Sequence, residues 1–155
     1  MFDIKITNAD IITGNGRTAG DIAIKDGRIA HIAPSIADAV TRVIDAKGRV
    51  ASPGFIDLHT HCGPNAELNY LHQGVTTVVT GNCGFSSVDV EALAAKCRGG
   101  QLGPNLATFI GHNSLRMAVL GSSARAATPA EMDKMKRLVA DAMQAGALGF
   151  STGLV

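Results

Sequence analysis

The change of pattern at Pro53-Gly54 constrains this chain more than any other feature. From residue 2 to about 52, apolar pairs at Ile4/Ile6, Ile11/Ile12, Ile22/Ile24, Ile29/Ile32 and Val43/Ile44 alternate with Gly, Asn and Asp, the pattern of short strands joined by turns. Asp26-Gly27 lies between two such segments and predicts a hairpin, because Asp and Gly accept the positive φ of a type I′ turn. Gly14-Asn15-Gly16 reads as another turn. It precedes neither a phosphate-binding Lys-Ser pattern nor a helix, so it is no nucleotide loop.

Beyond Pro53-Gly54 an apolar strand, a loop and a helix follow one another repeatedly. Strands are expected over 55–59, 75–80, 106–111 and 147–150, and helices over about 67–73, 90–98 and 128–145. Gly74, Gly99-Gly100 and Gly146 act as the stop signals. The last helix is the clearest. Thr128 is its N-cap, Pro129 its first helical residue and Glu131 completes a capping box. Met132, Met135, Leu138, Val139 and Met143 recur at helical spacing and are expected to be core.

Alternating strands and helices argue an α/β arrangement with a parallel sheet, which gathers polar groups beyond the carboxyl ends of its strands. Four exits then belong to one rim: His59-Thr60-His61, Gly81-Asn82-Cys83-Gly84, Gly111-His112-Asn113 and Ser151-Thr152-Gly153. The 155 residues suffice for one small unit, assigned to residues 1–52, and part of a larger one, assigned to 53–155.

Composition removes several function classes. The formal net charge is +1 with no basic run, so no footprint for nucleic acid or an anionic membrane is present. No stretch reaches bilayer-spanning length, and the first residues lack the basic and apolar regions of a signal peptide, which points to the cytoplasm. Three cysteines, Cys62, Cys83 and Cys97, form no CxxC pair, and an odd number leaves one over in any disulfide scheme. Free thiols or a thiolate ligand are expected. No Gly-x-Ser-x-Gly elbow is present.

The His-x-His pair at the first exit carries the chemistry. In a regular strand His59 and His61 point to one face, where two imidazoles share a divalent metal. Phe55, Ile56 and Leu58 make both faces of that strand apolar and predict burial, against the alternative of two solvated surface histidines. Cys83, between two backbone-permissive positions on the same rim, is a zinc thiolate candidate, the alternative being a small buried thiol. Cys62 and Cys97 are read as structural. His112 is placed against substrate or behind a metal ligand. His31 and His72 are expected to be structural or exposed, and Asp57 faces away and buttresses loops.

With those residues identified, the chain resembles the amidohydrolase superfamily and, within it, the N-acyl-D-amino-acid deacylase (D-aminoacylase) family. The resemblance rests on the segment around Asp26-Gly27, on Pro53-Gly54-Phe55-Ile56-Asp57-Leu58-His59-Thr60-His61, on Gly81-Asn82-Cys83-Gly84-Phe85-Ser86, on Gly111-His112-Asn113-Ser114, and on Gly149-Phe150-Ser151-Thr152-Gly153-Leu154. It implies a partial (β/α)₈ TIM barrel, about its first four β/α units, preceded by a small β-sandwich segment. It also implies zinc-dependent hydrolysis of the linear amide of N-acyl-D-amino acids. By that similarity His59 and His61 match the paired-histidine metal position and Cys83 the cysteine ligand, for one or two Zn²⁺ ions.

The resemblance covers the amino-terminal part of the family's usual length. The family's further histidines and its catalytic aspartate come from later strands, so no catalytic residue is assigned here. The segments from His61 to Gly74 and from Cys83 to Leu106 are shorter than in relatives, which leaves the substrate side chain open. Half a barrel exposes two sheet edges. The chain alone is therefore expected to be poorly stable, self-associating or cut from a longer product, and, lacking the later residues, inactive by itself unless a complementary carboxyl-terminal half joins it. A non-catalytic fragment and a cyclic-amide hydrolase of the same superfamily are the alternative readings.

Overall fold

Local turn chemistry organises the first unit. Asp26 (φ 51°) and Gly27 (φ 71°) form the left-handed pair that a tight hairpin needs, and they join β2 (Gly16–Lys25) to β3 (Arg28–Ala33) in antiparallel register. The structure, a computed structural model, describes residues 1–62, 68–98 and 103–153. Two units divide it, Met1–Pro53 and Gly54–Val155.

The first unit is one five-stranded mixed sheet. The apolar pairs near its start belong to one strand rather than two, β1 (Phe2–Thr13), which pairs antiparallel with β2. On its other edge β1 pairs parallel with β4 (Val40–Asp45) and then with β5 (Val50–Ala51). A bulge at Asn8 (φ 54°) lets β1 change partner, and Asn8 Nδ2 donates to Asp45 Oδ1 at 2.9 Å. Ala9, Ile11 and Ile22 form its buried cluster. Within residues 1–53 the expected β-sandwich segment contributes this one sheet.

Parallel pairing organises the second unit. β6 (Phe55–Asp57), β7 (Val75–Thr80) and β8 (Asn105–Thr108) form a three-stranded parallel sheet in that order. β9 (Ile110–Gly111) pairs parallel with β10 (Phe150–Ser151). The strand expected over 106–111 is therefore split at Phe109. Backbone bonds cross the break: Phe109 N donates to Thr80 O at 3.0 Å, and Leu148 N to Thr108 O at 2.8 Å. Consecutive strands thus neighbour one another through the whole unit, a mixed α/β fold.

Four helices connect these strands among the described residues. α1 (Asn69–His72) is shorter than the expected 67–73, and Gly74 (φ 79°) follows its end, whereas Glu67 lies outside the described residues. α2 (Val90–Arg98) has the expected bounds; its predicted stop at Gly99-Gly100 lies outside the described residues. α3 (His112–Leu120) starts directly at the third exit. α4 (Pro129–Gln144) carries the full capping box, with Thr128 Oγ1 accepting from Glu131 N and Glu131 Oε2 accepting from Thr128 N. Arg125, with help from Thr128, holds the Glu131 carboxyl far below the usual carboxylate range.

The core of this unit is Val90, Ile110, Leu115, Ala142 and Ala147, backed by Leu138 and Val139. Of the α4 methionines only Met135 is buried. Met132 and Met143 are exposed, so the apolar stripe read from the sequence is wider than the face that packs. Phe55, Ile56 and Leu58 are 63%, 61% and 70% exposed, against the burial expected for them. β6 is the edge strand of its sheet and pairs, among the described residues, with β7 alone. No helix among those residues is long and apolar enough to cross a membrane.

Candidate metal centre

The first exit owes its shape to Asp57 and Thr60. β6 ends at Asp57, whose Oδ1 accepts from His59 N at 3.2 Å, a short-range turn that bends the chain out of the strand. Thr60 then turns inward and is buried. Its N–H and its hydroxyl both donate to Val79 O at 2.9 Å. With Thr60 pinned inside, its neighbours His59 and His61 project outward together, their ring centroids 5.4 Å apart. The strand alternation expected to bring them together stops two residues earlier. A turn and an inward threonine produce the same convergence.

The second exit presents Cys83. Asn82 is buried and donates through Nδ2 to Val79 O at 3.0 Å and Thr60 O at 3.3 Å, tying the second exit to the first. Gly81 (φ 77°), Cys83 (φ 56°) and Gly84 (φ 83°) all take left-handed backbone. For a residue with a Cβ this conformation costs about 1–2 kcal/mol, so Cys83 is held where glycine would be more comfortable. Its thiol is exposed, not the buried small hydrophobe that an isolated cysteine would most simply be. Sγ lies 3.3 Å from His59 Nε2.

One ligand atom from each of His59, His61 and Cys83 lies within 4.8 Å of the other two. In a tetrahedral zinc site, bond lengths of about 2.0–2.1 Å to nitrogen and 2.3 Å to sulfur put neighbouring ligand atoms about 3.5 Å apart. The Sγ to Nε2 separation of 3.3 Å already has that dimension, and the other separations are at most 4.8 Å. Two imidazoles and a thiolate are also the donor set that zinc accepts, and three protein ligands leave a position open. The residues present therefore fit the metal.

The other candidates stand apart from this cluster. His112 opens α3, and its ring faces Phe150 at 6.0 Å. Cys62 Sγ lies 3.2 Å from Thr60 Oγ1, and Cys97 is in α2; both are free thiols. His31 lies on β3 and His72 on α1, both exposed.

Sequence reading assigned no role to two residues that frame Cys83. Asn113 Nδ2 donates to Cys83 O at 3.4 Å and to Gly153 O at 3.3 Å. Ser151 Oγ accepts from Gly84 N at 3.1 Å and donates to Gly81 O. Their only signal in the sequence is that small polar residues stand beside glycines at strand exits. Together with Asn82 they link all four exits into one hydrogen-bonded rim.

Comparison with known proteins assigns the chain to a family. Residues 42–154 match the amidohydrolase family model. The chain belongs to the amidohydrolase family. Among relatives in it, the N-acyl-D-aspartate deacylase of Alcaligenes xylosoxydans xylosoxydans is 36% identical over 97% of this chain and 36% of its own length. That alignment runs over 181 positions, longer than the chain itself, so the relative carries segments with no counterpart here.

The solved N-acyl-D-glutamate deacylase of Bordetella bronchiseptica, in complex with zinc and a phosphonate inhibitor that mimics the tetrahedral intermediate, superposes with a TM-score of 0.84. It is 34% identical, covering 99% of this chain and 38% of that one. A D-aminoacylase structure with a binuclear metal centre gives a TM-score of 0.86 at 34% identity, covering 99% and 39%. The chain thus spans a little over a third of the length of these family members.

Proposed function

We propose that this chain supplies the first part of a zinc centre that hydrolyses the linear amide of N-acyl-D-amino acids, with His59, His61 and Cys83 as ligands to one or two ions. The observation that carries the reading is the convergence of two imidazoles and one thiol, from two separate strand exits, within 4.8 Å. Consecutive parallel strands with these groups at their carboxyl ends support a partial (β/α)₈ barrel, here about its first four units.

Zinc, when bound, supplies Lewis acidity that polarises an amide carbonyl and acidifies a water. This chain's own residues hold the ligands: Thr60 turns the two histidines outward, Asn82 joins their exit to that of Cys83, and the open side of the cluster faces solvent. His112, whose ring lies beside Phe150 and outside the ligand cluster, is assigned to contact with the substrate rather than to support of a ligand. A proton shuttle to the leaving amine is assigned to no residue among those described. Over almost the whole chain the deacylases are 34–36% identical and the hydantoinase structures 20–24%, which favours this reading over a cyclic-amide hydrolase.

The test is amide hydrolysis by the zinc-loaded chain, alone and mixed with the complementary carboxyl-terminal portion of a deacylase relative, on paired D and L N-acetyl amino acids. Release of free amino acid is expected only from D substrates and only in the mixture. Absence of turnover at every zinc load, in a mixture that demonstrably associates, contradicts the proposal.

A further inference from the structure

The peptide unit that joins Cys83 to Gly84 is held at both of its polar ends by side chains from two other exits. Its carbonyl oxygen accepts from Asn113 Nδ2, and its N–H donates to Ser151 Oγ. A peptide unit is planar, so holding both groups sets its plane and with it ψ of Cys83. Asn113 also donates to Gly153 O, and Ser151 to Gly81 O, which anchors each clamp to the neighbouring loop.

Glycines make this approach possible. A Cβ on Gly153 would stand 2.5 Å from Cys83 O, and one on Gly84 would stand 2.7 Å from Asn113 Nδ2. A Cβ on Gly111 would collide with Gly84 O. Two other exits therefore press on the turn of one left-handed residue that would otherwise relax toward ordinary backbone, and that relaxation would swing Sγ away from His59.

We infer that Asn113, with Ser151, is a positioning residue for the Cys83 thiolate: it locks the left-handed turn that keeps Sγ beside the two imidazoles. This rests on the metal-centre reading above. The ligand set itself does not include Asn113, whose contribution is the orientation of its neighbour's backbone.

Cobalt(II) binding to the full 155-residue chain tests this, because a thiolate ligand adds a sulfur-to-cobalt charge-transfer absorption that imidazole ligands lack. Asn113→Asp is nearly isosteric but sets an oxygen against two carbonyl oxygens. It should weaken cobalt and zinc binding by about 10- to 100-fold, the usual loss for a supporting group behind a ligand, and depress the charge-transfer band per bound cobalt. Ser151→Ala should act in the same direction and Ser151→Thr, which keeps the hydroxyl, should restore binding.

In a Cys83→Ala background Asn113→Asp should change affinity less than about twofold, because the group it orients is gone. Gly153→Ala leaves Asn113 intact while displacing the same carbonyl, and it should reproduce the spectral loss even if Asn113→Asp proves unfolded by circular dichroism. Undiminished binding with an unchanged band in folded Asn113→Asp, or an equal affinity loss with and without Cys83, overturns the positioning role. A wild-type chain that binds cobalt with no sulfur band overturns the metal-centre reading itself and the inference with it.

Discussion

Cys83→Ala is expected to reduce the zinc affinity of this chain by more than 100-fold, beyond the roughly 10- to 100-fold that losing a group behind a ligand costs. The thiolate is one of only three donors in the cluster, and it is the only anionic one. Its removal leaves two neutral imidazoles, and a divalent cation then loses both a bond and its sole charge compensation. His59→Ala should have a comparable effect, since His59 Nε2 is the nitrogen that faces Sγ at 3.3 Å. His112→Ala should leave affinity unchanged, because its ring packs against Phe150 outside the cluster. Competition with a chromophoric chelator, followed by elemental analysis after dialysis, reads all three. Equal zinc retention in wild type and Cys83→Ala contradicts the prediction.

Leu115→Ala is expected to lower the stability of the second unit by about 2–5 kcal/mol, the range for truncating a fully buried leucine. Leu115 is 1% exposed and packs in the cluster with Ile110, which is 0% exposed, and with Val90, Ala142 and Ala147. These residues come from α2, β9, α3, α4 and the approach to β10, so a cavity here loosens most of the unit at once. Against a typical domain stability of about 5–15 kcal/mol, the loss should shift the urea midpoint markedly. Met132→Ala, on the exposed side of α4, should stay within about 0.5 kcal/mol of wild type. A Leu115→Ala loss below about 1 kcal/mol would show that this cluster is not the core. Because Leu115 stands two residues after Asn113 on α3, the same variant should also weaken metal binding in proportion to the fraction unfolded.

The features legible in the sequence were those that short-range physics decides. Asp26-Gly27 names its turn because few residue pairs accept two consecutive left-handed conformations. Thr128, Pro129 and Glu131 name a helix start because each satisfies or avoids a specific unpaired N–H within one turn. What failed depends on partners remote in sequence. Phe55, Ile56 and Leu58 read as buried because apolar residues usually find cover, yet cover requires elements packed on the faces from which these side chains project. The split of the third strand at Phe109 does not follow from periodicity either, since it is decided by which strands pair.

The candidate site divides in the same way. His59 and His61 were legible as a pair from their spacing, although a turn at Asp57 and the buried Thr60 bring them together rather than a regular strand. Cys83 was legible from the glycines around it, which mark backbone forced into unusual conformations. Asn113 and Ser151 were not, because they meet the Cys83 loop across 30 and 67 residues of sequence and nothing local announces such a contact.

X-ray absorption at the zinc edge of the zinc-loaded chain tests the central claim most directly, since it counts sulfur and nitrogen neighbours of the ion itself. One sulfur at about 2.3 Å together with two imidazole nitrogens at about 2.0–2.1 Å is the predicted shell, and the sulfur should vanish in Cys83→Ala. A wild-type shell of oxygen and nitrogen alone, identical to that of Cys83→Ala, would contradict the account.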